Sequence, residues 1–290
     1  MPLSIYYFLM FSAIYILVGW GIYLNYRNGQ ICFTPYIAMI IGAYFTALTL
    51  RDLSWPFGIV LLGAIAMGAV FALVSGLFLA RLGPLAMALV TLALIFVIQT
   101  VIRNVDFLGG VPGIFFIPSV THLMPIALTA TALVGFFMYR FDHSRLGRAM
   151  EVAFTDPEVA ATLGTNLFWT SVFLQVAGGA IGALAGAVYA PLIGSVAPVN
   201  FGFTLLLAIY CFLFVGGYTN MWGVVVFAPL LWGLRLVLPG EIASWTMIIY
   251  GALLVGIVVG RPEGVITKQA LRSIRLRSQA LLGRMRGSCK

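Results

Sequence analysis

The sequence predicts an all-α fold, a polytopic transmembrane bundle of about nine spans, and three observations carry that prediction. Hydrophobic residues make up 62% of the 290 residues and charged residues 8%, where a soluble domain carries about 25% charged. Apolar runs of roughly 20 residues, the length that crosses a hydrocarbon core as a helix, recur from end to end. Apart from Arg235, near the end of the eighth run, the charges fall in the breaks between those runs and in the last 30 positions, 261–290.

The spans read as 4–24, 31–50, 55–80, 85–102, 123–139, 167–192, 203–217, 222–238 and 244–260. The first is expected to remain in the chain, because no basic region precedes it and no small-residue cleavage site follows. In the second, Gly29, Thr34, Pro35 and Gly42 interrupt the apolar pattern. A broken or re-entrant helix is the expectation there, since irregular backbone at membrane depth is tolerated where protein or a water-filled cavity covers it. The third span carries Ala64, Gly68, Ala72, Gly76 and Ala80, and the sixth carries Gly178, Gly182, Gly186, Ala190 and Gly194. Small residues at i and i+4 line one helix face and let backbones approach, so both are expected to be packing seams within the subunit, with a subunit interface or a moving translocation seam as alternatives. The domain reading is a membrane unit over 1–266, with a polar loop at 140–166, and a basic tail over 267–290.

The net charge of +8 follows the orientation rule for membrane proteins better than any nucleic-acid footprint. Placing the 140–166 loop inside also puts Arg27, Arg81 and the tail inside. It leaves Arg51, Arg103 and Arg235 outside, with Asp52, Asp106 and Glu241 nearby. The tail residues Lys268, Arg272, Arg275, Arg277, Arg284 and Arg286 read as a solvated, partly helical segment, with anionic lipid or a cytosolic partner as alternative contacts. Cys32, Cys211 and Cys289 have neither metal nor redox spacing and are expected to be inert.

Chemistry is poorly represented. No Asp, Glu, Lys or His falls well inside a span, so proton coupling has no evident carrier, although sodium coupling through backbone carbonyls stays open. The chain has no HExxH, no GxSxG, no pair of aspartates at membrane depth and no Walker A pattern, and it is not expected to be an enzyme or to bind ATP itself. His122 and His143 sit in loops beside span ends and read as interfacial side chains. Any energy input must come from a partner.

The polar loop is where such a partner would act. Arg140, Asp142, Arg145, Arg148, Glu151, Asp156 and Glu158 lie there, seven charged residues of a chain with 16 basic and 8 acidic ones. Leu146, Ala149, Met150 and Ala153 recur at i, i+3, i+4 and i+7 and predict an amphipathic helix. Asp156 is a good N-cap, Pro157 suits the first turn, Glu158 favours the positive end and Gly164 is placed to terminate, so a second helix of about two turns follows. That is well short of the roughly 12 to 15 residues a helix needs for marginal stability alone, so docking must hold it.

The run GRAMEVAFTDPEVAATLGTN at 147–166, followed by FLQVAGGAIGALAGAVYA at 173–190, resembles branched-chain amino acid type ABC permeases. GAY at 42–44, LGGVPGI at 108–114, APVNF at 197–201, VGGYTNMWG at 215–223 and RPEGVI at 261–266 match in the same order. The 108–114 loop and the 215–223 hairpin look more like the LivM subunit than its LivH companion. The resemblance implies a bacterial inner-membrane importer with a cytoplasmic C-terminus. It implies a sister LivH-like permease, two cytosolic ATPases that bind ATP and Mg, a periplasmic or lipid-anchored solute-binding protein, contact with membrane lipid, and no nucleic acid. It also implies that Thr155, Asp156, Pro157, Glu158, Ala161, Leu163 and Gly164 form the coupling helix that the ATPases grip; in the alternating-access mechanism expected here, the helix-packing seams at Gly68, Ala72, Gly76, Gly178, Gly182 and Gly186 would slide. Branched-chain or other amino acids and small amides such as urea are the implied solutes. GQICFTPY at 29–36 departs from relatives that have a glycine followed by histidine or glutamine there. Thr34, Pro35, Tyr44, Thr91 and Gln99 are candidate pathway residues, with Asn104 beside them, and satisfied interhelical hydrogen bonds are the competing reading. A stand-alone secondary carrier or channel, with the polar loop a mere connector, is the alternative function.

Overall fold

The computed structural model describes residues 3–53, 55–162, 164–218, 220–237 and 246–260. The described residues form eleven α-helices: α1 (Leu3–Tyr26), α2 (Thr34–Leu48), α3 (Phe57–Leu79), α4 (Pro84–Asn104), α5 (Leu123–Asp142), α6 (Arg145–Thr155), α7 (Pro157–Thr162), α8 (Leu167–Ile193), α9 (Phe203–Gly216), α10 (Met221–Val237) and α11 (Thr246–Gly260). A π turn, Thr49–Leu53, extends α2, and a 3₁₀ turn, Pro198–Phe201, leads into α9. No strand forms among the described residues; Ile114 and Val196 make one isolated antiparallel bridge.

Proline sets several starts. Pro35, Pro84 and Pro157 stand in the first turns of α2, α4 and α7, and Pro56 immediately precedes α3. A missing N–H costs nothing there, because the first-turn donors have no intrahelical acceptor.

Among the described residues, seven helical stretches are long and apolar enough to cross a membrane: Ser4–Tyr26, Thr34–Leu53, Phe57–Leu79, Pro84–Asn104, Leu123–Asp142, Leu167–Ile193 and Pro198–Gly216. Helices α10 and α11 coincide with the eighth and ninth expected spans but have 17 and 15 residues. Positions 238–245, which include Glu241, lie outside the described residues, as does the basic tail from 261 onward. The second span differs from expectation in one respect: α2 runs unbroken through Gly42, and Thr34 and Pro35 begin the helix. Gly29, with φ +72°, turns the chain ahead of it.

Helices α1, α2 and α8 form the interior. Helix α8 buries one continuous face after another, from Ser171 and Val172 to Pro191 and Leu192, and it packs on α1, α2 and α3. Helices α3, α4 and α5 lie outside and present large apolar side chains outward, Phe78 at 75%, Leu85 at 74% and Phe136 at 67% exposure. In a bilayer such a surface meets acyl chains at no hydrophobic cost.

The two small-residue stripes do not face each other. Gly182 and Gly186 of α8 press on the carbonyls of Pro35 and Met39 of α2, where any Cβ would collide, and a Cβ at Gly178 would stand 2.7 Å from the Gly21 carbonyl of α1. The α3 stripe meets the adjacent face of α8: a Cβ at Gly68 would strike Ala183, and one at Gly179 would strike Ala72. Gly76 is looser, 3.4 Å from Gln175 Oε1. Gly42 belongs to the same system, since a Cβ there would run into the Ala183 carbonyl. Glycine at Gly42 therefore serves close helix approach, which explains why it does not break α2.

Candidate functional site

The polar loop folds as two capped helices at one end of the bundle. Ser144 caps α6: its Oγ accepts from Gly147 N at 3.1 Å and donates to the Phe141 carbonyl at 2.7 Å. Helix α6 buries Gly147, Met150 and Ala153, while Leu146 is 46% exposed. The expected stripe through Leu146 is thus rotated toward Gly147. The cause is the tight corner between α5 and α6, where a Cβ at Gly147 would meet the Phe141 carbonyl.

Helix α7 is closed at both ends as the sequence implies. Asp156 Oδ1 accepts from Glu158 N at 3.0 Å and from Val159 N at 3.3 Å, which satisfies two first-turn donors. Gly164 takes φ +80°, and Thr165 closes back on the Ala160 carbonyl, N at 3.3 Å and Oγ1 at 2.5 Å. This left-handed end with a six-to-one hydrogen bond favours glycine. Ala160 is fully buried, whereas Asp156, Glu158, Val159, Ala161 and Thr162 are exposed; Leu163 lies outside the described residues. Asn166 then caps α8 by accepting from Trp169 N at 3.3 Å. An open groove of about 560 Å³ runs beside α7, bounded by Arg148, Glu151, Val152, Thr155, Asp156 and Val159.

A clamp that periodicity did not reveal holds this loop to the bundle. Arg27, 7% exposed at the end of α1, lies 3.7 Å from Asp142 and 3.6 Å from Glu151, and its Nη2 donates to the Gly147 carbonyl at 3.3 Å. The Tyr23 hydroxyl donates to the Asp142 carboxylate, 3.1 and 3.0 Å from its two oxygens. Beside it, the rings of Tyr26, Phe154 and Tyr218 meet tilted or edge to face, with centroids 4.8 to 5.8 Å apart, and Asn28 Nδ2 donates to Ser171 Oγ of α8. Arg81 stands 5.5 Å over the Phe168 ring at the start of α8, so Arg27, Arg81 and the loop share one end of the bundle.

The candidate pathway residues fall into two groups. Near the start of α2, Thr34 Oγ1 lies 2.9 Å from Cys32 Sγ, Thr91 Oγ1 accepts from Phe33 N at 3.2 Å and donates to the Met87 carbonyl at 2.8 Å, and Pro35 packs on the α8 glycines. About 15 Å along α2, ten residues at the helical rise, the Tyr44 ring meets Phe201, and Gln99 Nε2 donates to the Phe201 carbonyl at 2.6 Å. Gln99 and Thr91 bridge separate segments, whereas the Tyr44 hydroxyl is buried with no hydrogen-bond partner. Asn104 bonds only to the Thr100 carbonyl one turn back. His122 is exposed, with φ +64°, and His143 Nδ1 lies 2.9 Å from the Tyr139 carbonyl. Cys32 and Cys211 are buried free thiols, and no group of three metal-ligating side chains occurs among the described residues.

No curated protein and no solved structure matches the chain. A family model described as the permease component of the branched-chain amino acid transport system matches residues 4–258, a stretch that runs from α1 into α11 and takes in the clamped loop and the glycine seams. A multi-pass helical bundle with that match over most of its length belongs to the branched-chain amino acid transport permease family of ABC transporters.

Proposed function

We propose that this chain is a LivM-like permease subunit of an ATP-driven importer in the bacterial inner membrane. It pairs with a LivH-like sister subunit, takes a branched-chain or other amino acid or a small amide from a periplasmic or lipid-anchored binding protein, and is driven by two cytosolic ATPases, which hold the ATP and Mg. The observation that carries the reading is α7: a six-residue helix, capped at both ends, exposed on its outer face and anchored by one fully buried residue, Ala160. A helix this short has no stability of its own, yet both of its ends are fixed, which suits a handle that a partner grips.

The path of force follows from the contacts. Helix α7 is joined through the extended Asp156 to α6, which Arg27 ties to α1, and it leads within four residues into α8. A push on α7 therefore reaches the two helices that carry the glycine contacts with α2 and α3. Flat contacts of glycine on backbone let helices shift by small steps without rotamer changes. Alternating access in this reading moves Gly68, Ala72 and Gly76 of α3 and Gly178, Gly182 and Gly186 of α8, and leaves catalysis to the partners. Tyr44, Gln99, Thr91, Thr34 and Pro35 border the route, and polar contacts to solute come from Tyr44 and from backbone at the irregular start of α2.

Co-purification from membranes tests the reading. The full chain is expected to bring down an ATPase pair and a second permease, with uptake that stops when ATP is depleted. A chain that purifies alone and transports without ATP would be a secondary carrier or channel.

A further inference from the structure

Helices α5 and α10 both lean on α1 but stand apart from each other over Trp20. The gap is a cleft of about 460 Å³, bordered by Trp20, Thr131, Gly135, Phe136, Tyr139 and Trp222 among others. Two of its polar groups are engaged within the protein, since Trp20 Nε1 donates to the Met221 carbonyl at 3.1 Å and Thr131 Oγ1 to the Ala127 carbonyl at 2.8 Å; the Tyr139 and Trp222 side chains, at the end nearest the polar loop, carry the other two. What remains is apolar wall, open toward the bilayer, with Phe136 and Trp222 67% and 52% exposed.

The cleft follows α5 from Leu128 to Tyr139, about 16 Å at the helical rise, and ends at the same face of the bundle as the polar loop. Arg140 stands there, one turn beyond Phe136 on the same side of α5. It is exposed, and Arg145 beside it is exposed too. The nearby acids, Asp142 and Glu151, are engaged with Arg27. A narrow apolar slot capped by uncompensated positive charge and by the aromatic rings of Tyr139 and Trp222 matches one chemistry: an acyl chain below a phosphate, with interfacial aromatics at headgroup level.

We propose that this cleft is a binding site for one anionic phospholipid, its acyl chain between α5 and α10 and its headgroup at Arg140. Size argues against a helix of another subunit as occupant. A helix with its side chains is about 10–12 Å across, so a slot of about 460 Å³ drawn out along about 16 Å of α5 admits only a fraction of its width. Away from Tyr139 and Trp222 at its end, the cleft offers a polar solute only apolar wall. The assignment does not depend on the transport reading.

Native mass spectrometry of the full chain in mild detergent, after exposure to equal amounts of phosphatidylglycerol and phosphatidylcholine, tests it. The expected result is one phosphatidylglycerol retained under conditions that strip other lipid. Ala132→Phe, at an exposed position lining the cleft, should lower that retention about tenfold. Arg140→Gln should bring the two lipids to parity. Leu133→Phe, at 71% exposure and outside the cleft, should retain the lipid and serves as the control for folding. Equal retention of both lipids by the unaltered chain, or undiminished retention in Ala132→Phe, overturns the site. So does a well-folded Ala132→Phe that keeps its lipid and loses a partner permease, since the cleft would then be a subunit interface.

Discussion

The Tyr23 hydroxyl bridges both oxygens of the Asp142 carboxylate across 119 positions of sequence, and Arg27, one turn further along the same helix, lies 3.7 Å from one of them. The end of the first helix is thereby fixed to the point where the fifth helix turns into the polar loop. With Arg27 7% and Asp142 14% exposed, the pair sits where water cannot replace a missing partner.

Asp142→Ala should therefore lower stability by about 3 kcal/mol, the lower part of the range for orphaning a buried charge, because Glu151 still faces Arg27. Removing both charges together, Arg27→Met with Asp142→Ala, should lose less than Asp142→Ala alone, with Arg27→Met as the other single change. Thermal unfolding of the four proteins in detergent, read as a double-mutant cycle, checks this; additive losses would mean that the two residues do not interact.

Glycine contacts in the interior differ sharply from glycines outside it. Gly182→Ala drives a methyl into the Pro35 carbonyl and should cost about 1–3 kcal/mol, the range for overpacking. Gly251→Ala, with nothing within 4 Å of the added carbon, should be neutral or slightly stabilising, since alanine is the better helix former by about 1 kcal/mol. The unfolding midpoint is expected to fall in Gly182→Ala and to hold or rise slightly in Gly251→Ala.

Helix α7 should respond to its caps. Asp156→Ala removes the acceptor for Glu158 N and Val159 N and should weaken the helix by about 1 kcal/mol. Gly164→Ala, at φ +80°, should cost about as much through backbone strain alone. Under the proposed function, Gly164→Pro and Glu158→Arg lower uptake and blunt the stimulation of ATPase activity by loaded binding protein, with membrane insertion intact. Normal stimulation in both would remove α7 from the coupling route.

Gln175, fully buried in α8, has no hydrogen-bond partner for either amide atom. Gln175→Leu should stabilise this conformation by about 1–3 kcal/mol, the penalty for a buried group left unsatisfied. A fall in the unfolding midpoint would show that the amide is bonded in the native membrane protein.

Much of the loop could be read in advance because its signals are local. Asp156 caps the nitrogens two and three residues ahead of it, and Gly164 ends a helix that starts at Pro157, so the information lies within about two turns. The small-residue stripes were equally legible as seams. Which neighbour each stripe meets was not, because period alone cannot say that Gly182 faces Pro35 while Gly179, one residue round the helix from Gly178, faces Ala72. The Arg27 clamp escaped for the same reason: its partners lie in other helices, and an arginine at a span end looks like any other orientation signal. Ser144 and Asn166, the remaining two caps, did carry a local signal, a hydrogen-bonding side chain just ahead of a helical run. Gly42 was misread as a breaker because glycine at a break and glycine under a neighbouring carbonyl look alike in sequence.

The central place of α8 also sets the order in which the protein can be made. Helices α1 and α2 enter the membrane first, carrying Asn25, Arg27 and Thr46, each 7% exposed or less in the finished protein. Chain synthesis runs from the N-terminus, so the face these helices will share with α8 stays unsealed until Ile193 has emerged. Three more apolar helices must wait at the periphery meanwhile. Helices α1 and α2 touch each other far less than either touches α8, so they cannot bury that face between themselves.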